Sequence, residues 1–196
     1  MVGTTVKTLQ TKSPSQRATV AEYLNIERTT NEKHYYLNGF IRKMAGASIN
    51  HNRICRNIIT ALDICLPHEM EVLGSDQKIY IPAYNFYVYP DAVVVAEAPQ
   101  ISDKDAQAIT NPLLIVEVLS PSTQNQDKDE KFMWYRSLPS FREYALVRQD
   151  TAEVSTFFRK DDDLWQSDAV SGLENEVFLK SVGVSLSLSR IYKNIF

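Results

Sequence analysis

Two apolar runs in the middle of the chain each hold a carboxylate where an aliphatic residue would pack better. Asp91 opens the run Val93, Val94, Val95, and Glu117 interrupts Leu113, Leu114, Ile115, Val116, Val118 and Leu119. An unpaired carboxylate taken out of water is costly or is forced to protonate, full burial moving a pKa by roughly 3–5 units. Each run, read as a strand, therefore needs a cation, a strong hydrogen-bond donor or a metal ion beside its carboxylate. Two such strands suggest a metal-binding active site. A helical pattern follows Glu117, and at about 100° per residue Asp127, Glu130, Lys131, Trp134, Tyr135 and Leu138 share one broad face. Trp134 and Leu138 turn that face toward the sheet, which carries Asp127 and Lys131 toward the end of the Glu117 strand. The bland alternative is a solvated Asp–Lys pair one turn apart, stabilising by roughly 0.2–0.5 kcal/mol.

Two carboxylates with a lysine nearby suit metal-assisted hydrolysis of a phosphodiester. Magnesium takes one or two protein carboxylates and leaves its other positions to water and phosphate. It polarises the phosphoryl oxygen and lowers the pKa of a bound water, while a lysine orients that water or offsets charge growing on the phosphate. A buried Asp–Lys–Glu ion-pair network would place the same residue types in the same strands. His51 lies one turn before Ile54 on nearly the same helix face. Its pattern alone favours a helix-start histidine that packs or hydrogen-bonds locally over a catalytic one.

The elements that must position these groups read as an α+β order. Residues 1–17 are rich in Ser, Thr and Lys without an acid, and read as a flexible arm with a cap for the next helix near Ser15. A short helix is expected over 18–26. Asn38-Gly39 between two β-prone runs is the strongest short hairpin signal, because both residues tolerate positive φ. Residues 46–66 carry Ile54, Ile58, Leu62 and Cys65 or Leu66 at helical spacing, and Pro67 stops them. Strands follow at about 71–73, 77–82, 86–96 and 112–119, with the polar segment 97–111 as a surface excursion. A helix over 125–138 ends at Pro139, and β periods return at 141–148, 153–158, 165–170 and 184–188. Residues 160–163 (Lys-Asp-Asp-Asp) read as a charged hairpin turn. The expected domain is a mixed sheet flanked by the helices at 47–66 and 125–138.

Composition bounds the possibilities. The chain has 196 residues, long enough for one domain with a proper core, and its 44% hydrophobic and 23% charged content is ordinary for a soluble globular protein. No apolar run approaches the roughly 18 residues of a membrane span, and no signal-peptide core is present, so a cytoplasmic protein is expected. Cys55 and Cys65, ten residues apart on one helix, are too far apart to bridge and read as reduced thiols. Three histidines and two isolated cysteines supply no zinc-site spacing. A net charge of −3 argues against a sequence-reading DNA-binding module, less so against a nuclease with a metal ion and a local basic rim.

Taken together, Tyr-Pro-Asp-Ala-Val-Val-Val at 89–95, Leu-Leu-Ile-Val-Glu-Val-Leu-Ser-Pro-Ser-Thr at 113–123, Asp127, Lys131, Tyr135 and Glu143-Tyr144 resemble the Uma-type restriction-endonuclease family of the PD-(D/E)XK nuclease superfamily. Leu37-Asn38-Gly39 stands where that family has a hydrophobic-Asp-Gly turn, and Gly46-x-Ser48-x-x-His51 looks like its helix-start signature. The resemblance spans about residues 20–193. It implies a restriction-endonuclease-like domain over 18–196 and a metal-dependent DNA endonuclease, with magnesium, or manganese, as cofactor. Asp91 and Glu117 would be metal ligands, with the Val118 carbonyl a third. Lys131 would be the catalytic lysine, and Asp127, His51 and Tyr135 would support it. One departure is pointed. The superfamily places a lysine two residues after the second carboxylate, where this chain has Leu119, so the resemblance implies a lysine moved to the next helix; Lys128 is the alternative. Asn38, and Phe-Arg-Glu-Tyr-Ala at 141–145, also depart from the family pattern. DNA is the implied partner, a homodimer would suit cutting of two strands, and no membrane is implied. The alternative function is a nuclease-fold binding or interaction protein that no longer cuts.

Overall fold

The computed structural model describes residues 16–44, 46–119 and 127–196, except for the side chains of 127–129. Strand β1 (Gln16–Arg17) precedes helix α1 (Val20–Thr29), then the hairpin β2 (His34–Leu37) and β3 (Phe40–Lys43), then the long helix α2 (Ile49–Cys65). Next come β4 (Glu71–Gly74), β5 (Lys78–Ile81), β6 (Phe86–Val88), β7 (Ala92–Val95), β8 (Ala108–Ile109) and β9 (Leu114–Leu119). Helix α3 (Asp127–Tyr135) leads to β10 (Glu143–Arg148), β11 (Glu153–Arg159), β12 (Trp165–Ser171), β13 (Glu176–Leu179), β14 (Val184–Ser187) and the short α4 (Leu188–Ile191).

The expected mixed sheet is the six-stranded one ordered β12-β11-β10-β9-β7-β4, in which only β9 and β10 run parallel. Its pleat sorts the apolar residues by parity. Ala92, Val94, Leu114, Val116, Val118, Ala145 and Val147 join Ile54, Ile58, Ala61 and Leu62 of α2 in one core. Val93, Val95, Ile115, Tyr144 and Leu146 join Tyr135 of α3 and Ile79, Ile81, Phe86 and Val88 in another. The central strands are thus apolar on both faces because both faces are covered. A carboxylate among them has no solvent side to choose.

Four local features differ from the expectation. A second six-stranded sheet, β1-β3-β2-β6-β5-β8, stands beside the first, and β13 pairs with β14 apart from both. Gln16 and Arg17, at the end of the expected arm, pair with Ile41 and Phe40, while residues 1–15 lie outside the described residues. The cap of α1 is Thr19, whose side chain accepts from the Glu22 N–H while Glu22 reaches back to the Thr19 N–H. Finally, 97–111 is more than a surface excursion. Ala108 and Ile109 are buried in β8, parallel to β5, and Asp105 lies 2.7 Å from the ammonium of the buried Lys78. Its polar composition hid a two-residue strand too short to show a period. The Asn38-Gly39 turn is as expected, with φ of 43° and 91° joining Leu37 to Phe40. Among the described residues, no helix is long and apolar enough to cross a membrane.

Candidate active site

The site forms where the β7–β9 ladder opens. The last register pair there is Ala92 with Val116, and one further step sets Asp91 opposite Glu117, on the same face of the pleat. At that point a side chain replaces the main chain as acceptor. The Val118 N–H donates to Asp91 Oδ2 at 2.7 Å. Pro90, just before Asp91 and outside β7, has no N–H to offer β9. Main-chain groups of one strand residue point to the same edge, so the Val118 carbonyl faces Asp91 as well.

Two helices close on this opening. Ser48 caps α2: its Oγ accepts from the His51 N–H at 3.0 Å and donates to Gln149 Oε1 at 2.8 Å. Gln149 in turn donates through Nε2 to the Leu119 carbonyl at 3.1 Å. The start of α2 is thereby tied to the end of β9, which brings His51 Nε2 to 3.2 Å from Asp91 Oδ2. From the other side, α3 brings Lys131 Nζ to 3.2 Å and the Tyr135 hydroxyl to 3.0 Å from Glu117 Oε1. Asp91, Glu117, Lys131, His51 and Val118 all line one cleft of about 1080 Å³, and Lys33 and Lys43 line it as well.

Electrostatics follow from this packing. Glu117 is 7% exposed. Burial pushes its carboxyl up, the Lys131 ammonium pulls it down and the Asp91 charge pushes it up again, for a net rise above 4.5. Burial alone would lower the His51 imidazole, but the hydrogen bond and charge of Asp91, with Glu117 behind, raise it above 6.5. Tyr135 is fully buried, and burial followed by the charge of Glu117 holds its hydroxyl well above the usual range, so it serves as a donor. The Cys55 thiol is likewise pushed up, by burial first and then by Asp91 and Glu117.

The structure therefore brings together Asp91, Glu117, Val118, Lys131, His51 and Tyr135. The side chains of Asp127 and Lys128 lie outside the described residues. Leu119, the position where the resemblance set a lysine, packs partly buried against the apolar core, and the ammonium beside Glu117 comes from α3. Glu143 is elsewhere: fully buried, it accepts from the N–H groups of Lys180 and Ser181 and from the Ser181 hydroxyl, a purely structural anchor. Sequence reasoning missed Gln149, for which no local signal exists, and Cys55, whose sulfur lies 3.3 Å from His51 Nδ1. The His51–Cys55 spacing of one helical turn was the available clue.

Several comparisons bear on this geometry. The sequence model of the Uma2 family, described as "Putative restriction endonuclease", matches residues 20–189. Two proteins of Synechocystis sp. (strain ATCC 27184 / PCC 6803 / Kazusa) are similar over most of their length. The uncharacterized protein sll1609 is 38% identical over 160 residues, covering 81% of this chain and 90% of that protein. The uncharacterized protein slr1290 is 35% identical over 187 residues, covering 93% and 95%. The crystal structure of "a putative nuclease belonging to DUF820" from Anabaena variabilis ATCC 29413 shares the fold. It superposes with a TM-score of 0.69 at 16% identity, covering 91% of this chain and 99% of that one.

Proposed function

Because this chain belongs to the Uma2 family, described as "Putative restriction endonuclease", we propose that it is a magnesium-dependent DNA endonuclease whose centre is Asp91, Glu117 and Lys131. One observation carries the reading: two carboxylates facing each other where β7 and β9 part, with a lysine ammonium 3.2 Å from one of them, line an open cleft. The donors on offer are the oxygens of Asp91 and Glu117, with the Val118 carbonyl on the same edge. An all-oxygen set of this kind fits a hard dication such as Mg²⁺, and Mn²⁺ is an acceptable substitute. Glu117, buried beside a second carboxylate, is also the excess negative charge that a dication relieves.

When bound, the ion supplies Lewis acidity toward a phosphoryl oxygen and a lowered pKa for a coordinated water. The protein's own groups do the rest. Val118 N–H and His51 fix the Asp91 carboxylate from two directions, and the Tyr135 hydroxyl fixes Glu117. Lys131 places a positive charge where negative charge grows on the phosphate. Lys33 and Lys43, which line the same cleft, would meet the phosphates of the bound strand. A cytoplasmic setting suits its two free thiols.

The test is plasmid cleavage by pure protein with Mg²⁺, alongside the Asp91→Ala and Glu117→Ala variants. Nicking or linearisation by wild type, with loss of at least about 100-fold in each variant, is expected. Undiminished cleavage in both variants would remove this centre.

A further inference from the structure

Asp91 has neighbours on α2 that the magnesium reading does not use as metal ligands. His51 and Cys55 stand one turn apart on α2, so their side chains share a face. Their contact runs through the imidazole Nδ1, 3.3 Å from Cys55 Sγ, while Nε2 is 3.2 Å from Asp91 Oδ2. One ligand atom from each of the three residues lies within 4.8 Å of the other two. All three line the same cleft, so an ion can reach them. From this geometry we propose a second metal site, in which a dication of the zinc class is held by the Cys55 sulfur, a His51 nitrogen and an Asp91 oxygen.

The donor chemistry separates this site from the one proposed for magnesium. Zinc takes sulfur at about 2.3 Å and nitrogen or oxygen at about 2.0–2.2 Å, so its tetrahedral ligands stand about 3.3–3.8 Å apart. One ion takes a single imidazole nitrogen, so the ring and the carboxylate must turn to bring three ligand atoms that start within 4.8 Å of one another to that spacing. A thiolate and an imidazole select zinc or cobalt over magnesium, which prefers oxygen alone. A histidine and a second ligand at i, i+4 on one helix is the spacing helical zinc sites use. On binding, the thiol releases its proton to solvent and the sulfur–metal bond forms, with water completing the fourth position. Asp91 belongs to both sites, so zinc and magnesium exclude each other, and traces of zinc inhibit cleavage. That inhibition rests on the nuclease reading; the zinc site does not.

Cobalt(II), which takes zinc positions and reports its ligands by colour, tests the site without nucleic acid. Titration of the full-length protein should produce a saturable thiolate-to-cobalt charge-transfer band at one ion per chain, erased by added zinc. The Cys55→Ser protein should lack that band and Cys65→Ser should keep it. His51→Gln should weaken cobalt binding at least about tenfold. No band in wild type, or a band that survives in Cys55→Ser, overturns the proposal. A wild type that gives the band but never cuts DNA leaves the zinc site standing and removes only the nuclease.

Discussion

At the scale of single residues, what distinguishes the site is how its carboxylates are compensated. Glu143 is satisfied by main-chain N–H groups, and the remote pair Lys78–Asp105 by a buried one-to-one contact of 2.7 Å. Glu117 shares one lysine and one tyrosine hydroxyl with the field of Asp91, and its carboxyl is displaced upward. The folded, metal-free protein therefore holds this proton more tightly than the unfolded chain. The stability it contributes is complete below pH 4.5 and is lost as pH rises through the folded value. His51, also raised, acts in the same sense: its contribution is complete below pH 6.5 and fades as pH climbs through its own folded value. Denaturant titrations in chelator should thus show Glu117→Gln gaining on wild type as pH increases from 4.5, and matching or exceeding it at neutral pH. A structural ion pair predicts the reverse, a loss of about 3–5 kcal/mol when one partner is removed. Lys131 is tested by rate. Lys131→Ala should lower kcat about 10²–10³-fold with DNA affinity little changed, and Lys131→Arg should restore part of it. Full activity in Lys131→Ala would hand the role to another cation.

At the scale of elements, Ser48 is the join between α2 and β9, because it caps one and, through Gln149, reaches the end of the other. Ser48→Ala should cost about 0.5–2 kcal/mol as a lost N-cap. It should also lower kcat, since His51 would no longer be held against Asp91; an unchanged rate at reduced stability would show that α2 positions nothing. Helix α2 and strands β9 and β10 were legible in the sequence, since each has a clear period, and so was the Asn38-Gly39 hairpin. The carboxylate pair was legible for the same reason: Asp91 and Glu117 break an otherwise apolar pattern. What stayed hidden depends on partners distant in sequence. His51 is the helix-start residue expected, but its contact with Asp91, 40 positions on, has no local signal. β8 and β13 were missed because two or four residues carry too little periodicity, and the division of strands into two sheets is a matter of pairing that no local signal encodes.

At the scale of the whole molecule, the acidic balance constrains how the proposed DNA substrate would be held. A net charge of −3 provides no broad attraction, so affinity for it would have to come from the few cations in the cleft. Lys33 and Lys43 line it, yet each is also bridged to an acid, Asp76 and Glu32 respectively. They are therefore held in place rather than added to a general positive field, and in the proposed complex each would exchange its acid for one phosphate. Each neutralised phosphate steepens the fall of log affinity with log salt by about 0.9. With Lys131→Met in Mg²⁺ to suppress cleavage, the salt slope should be shallow, about −2 to −4. Replacing Lys33 and Lys43 together by alanine should flatten it by about 2 and weaken binding equally for unrelated sequences. A steep slope that both substitutions leave untouched would mean that the duplex lies on another surface, and the carboxylates at the mouth of β7 and β9 would then have no phosphate to act on.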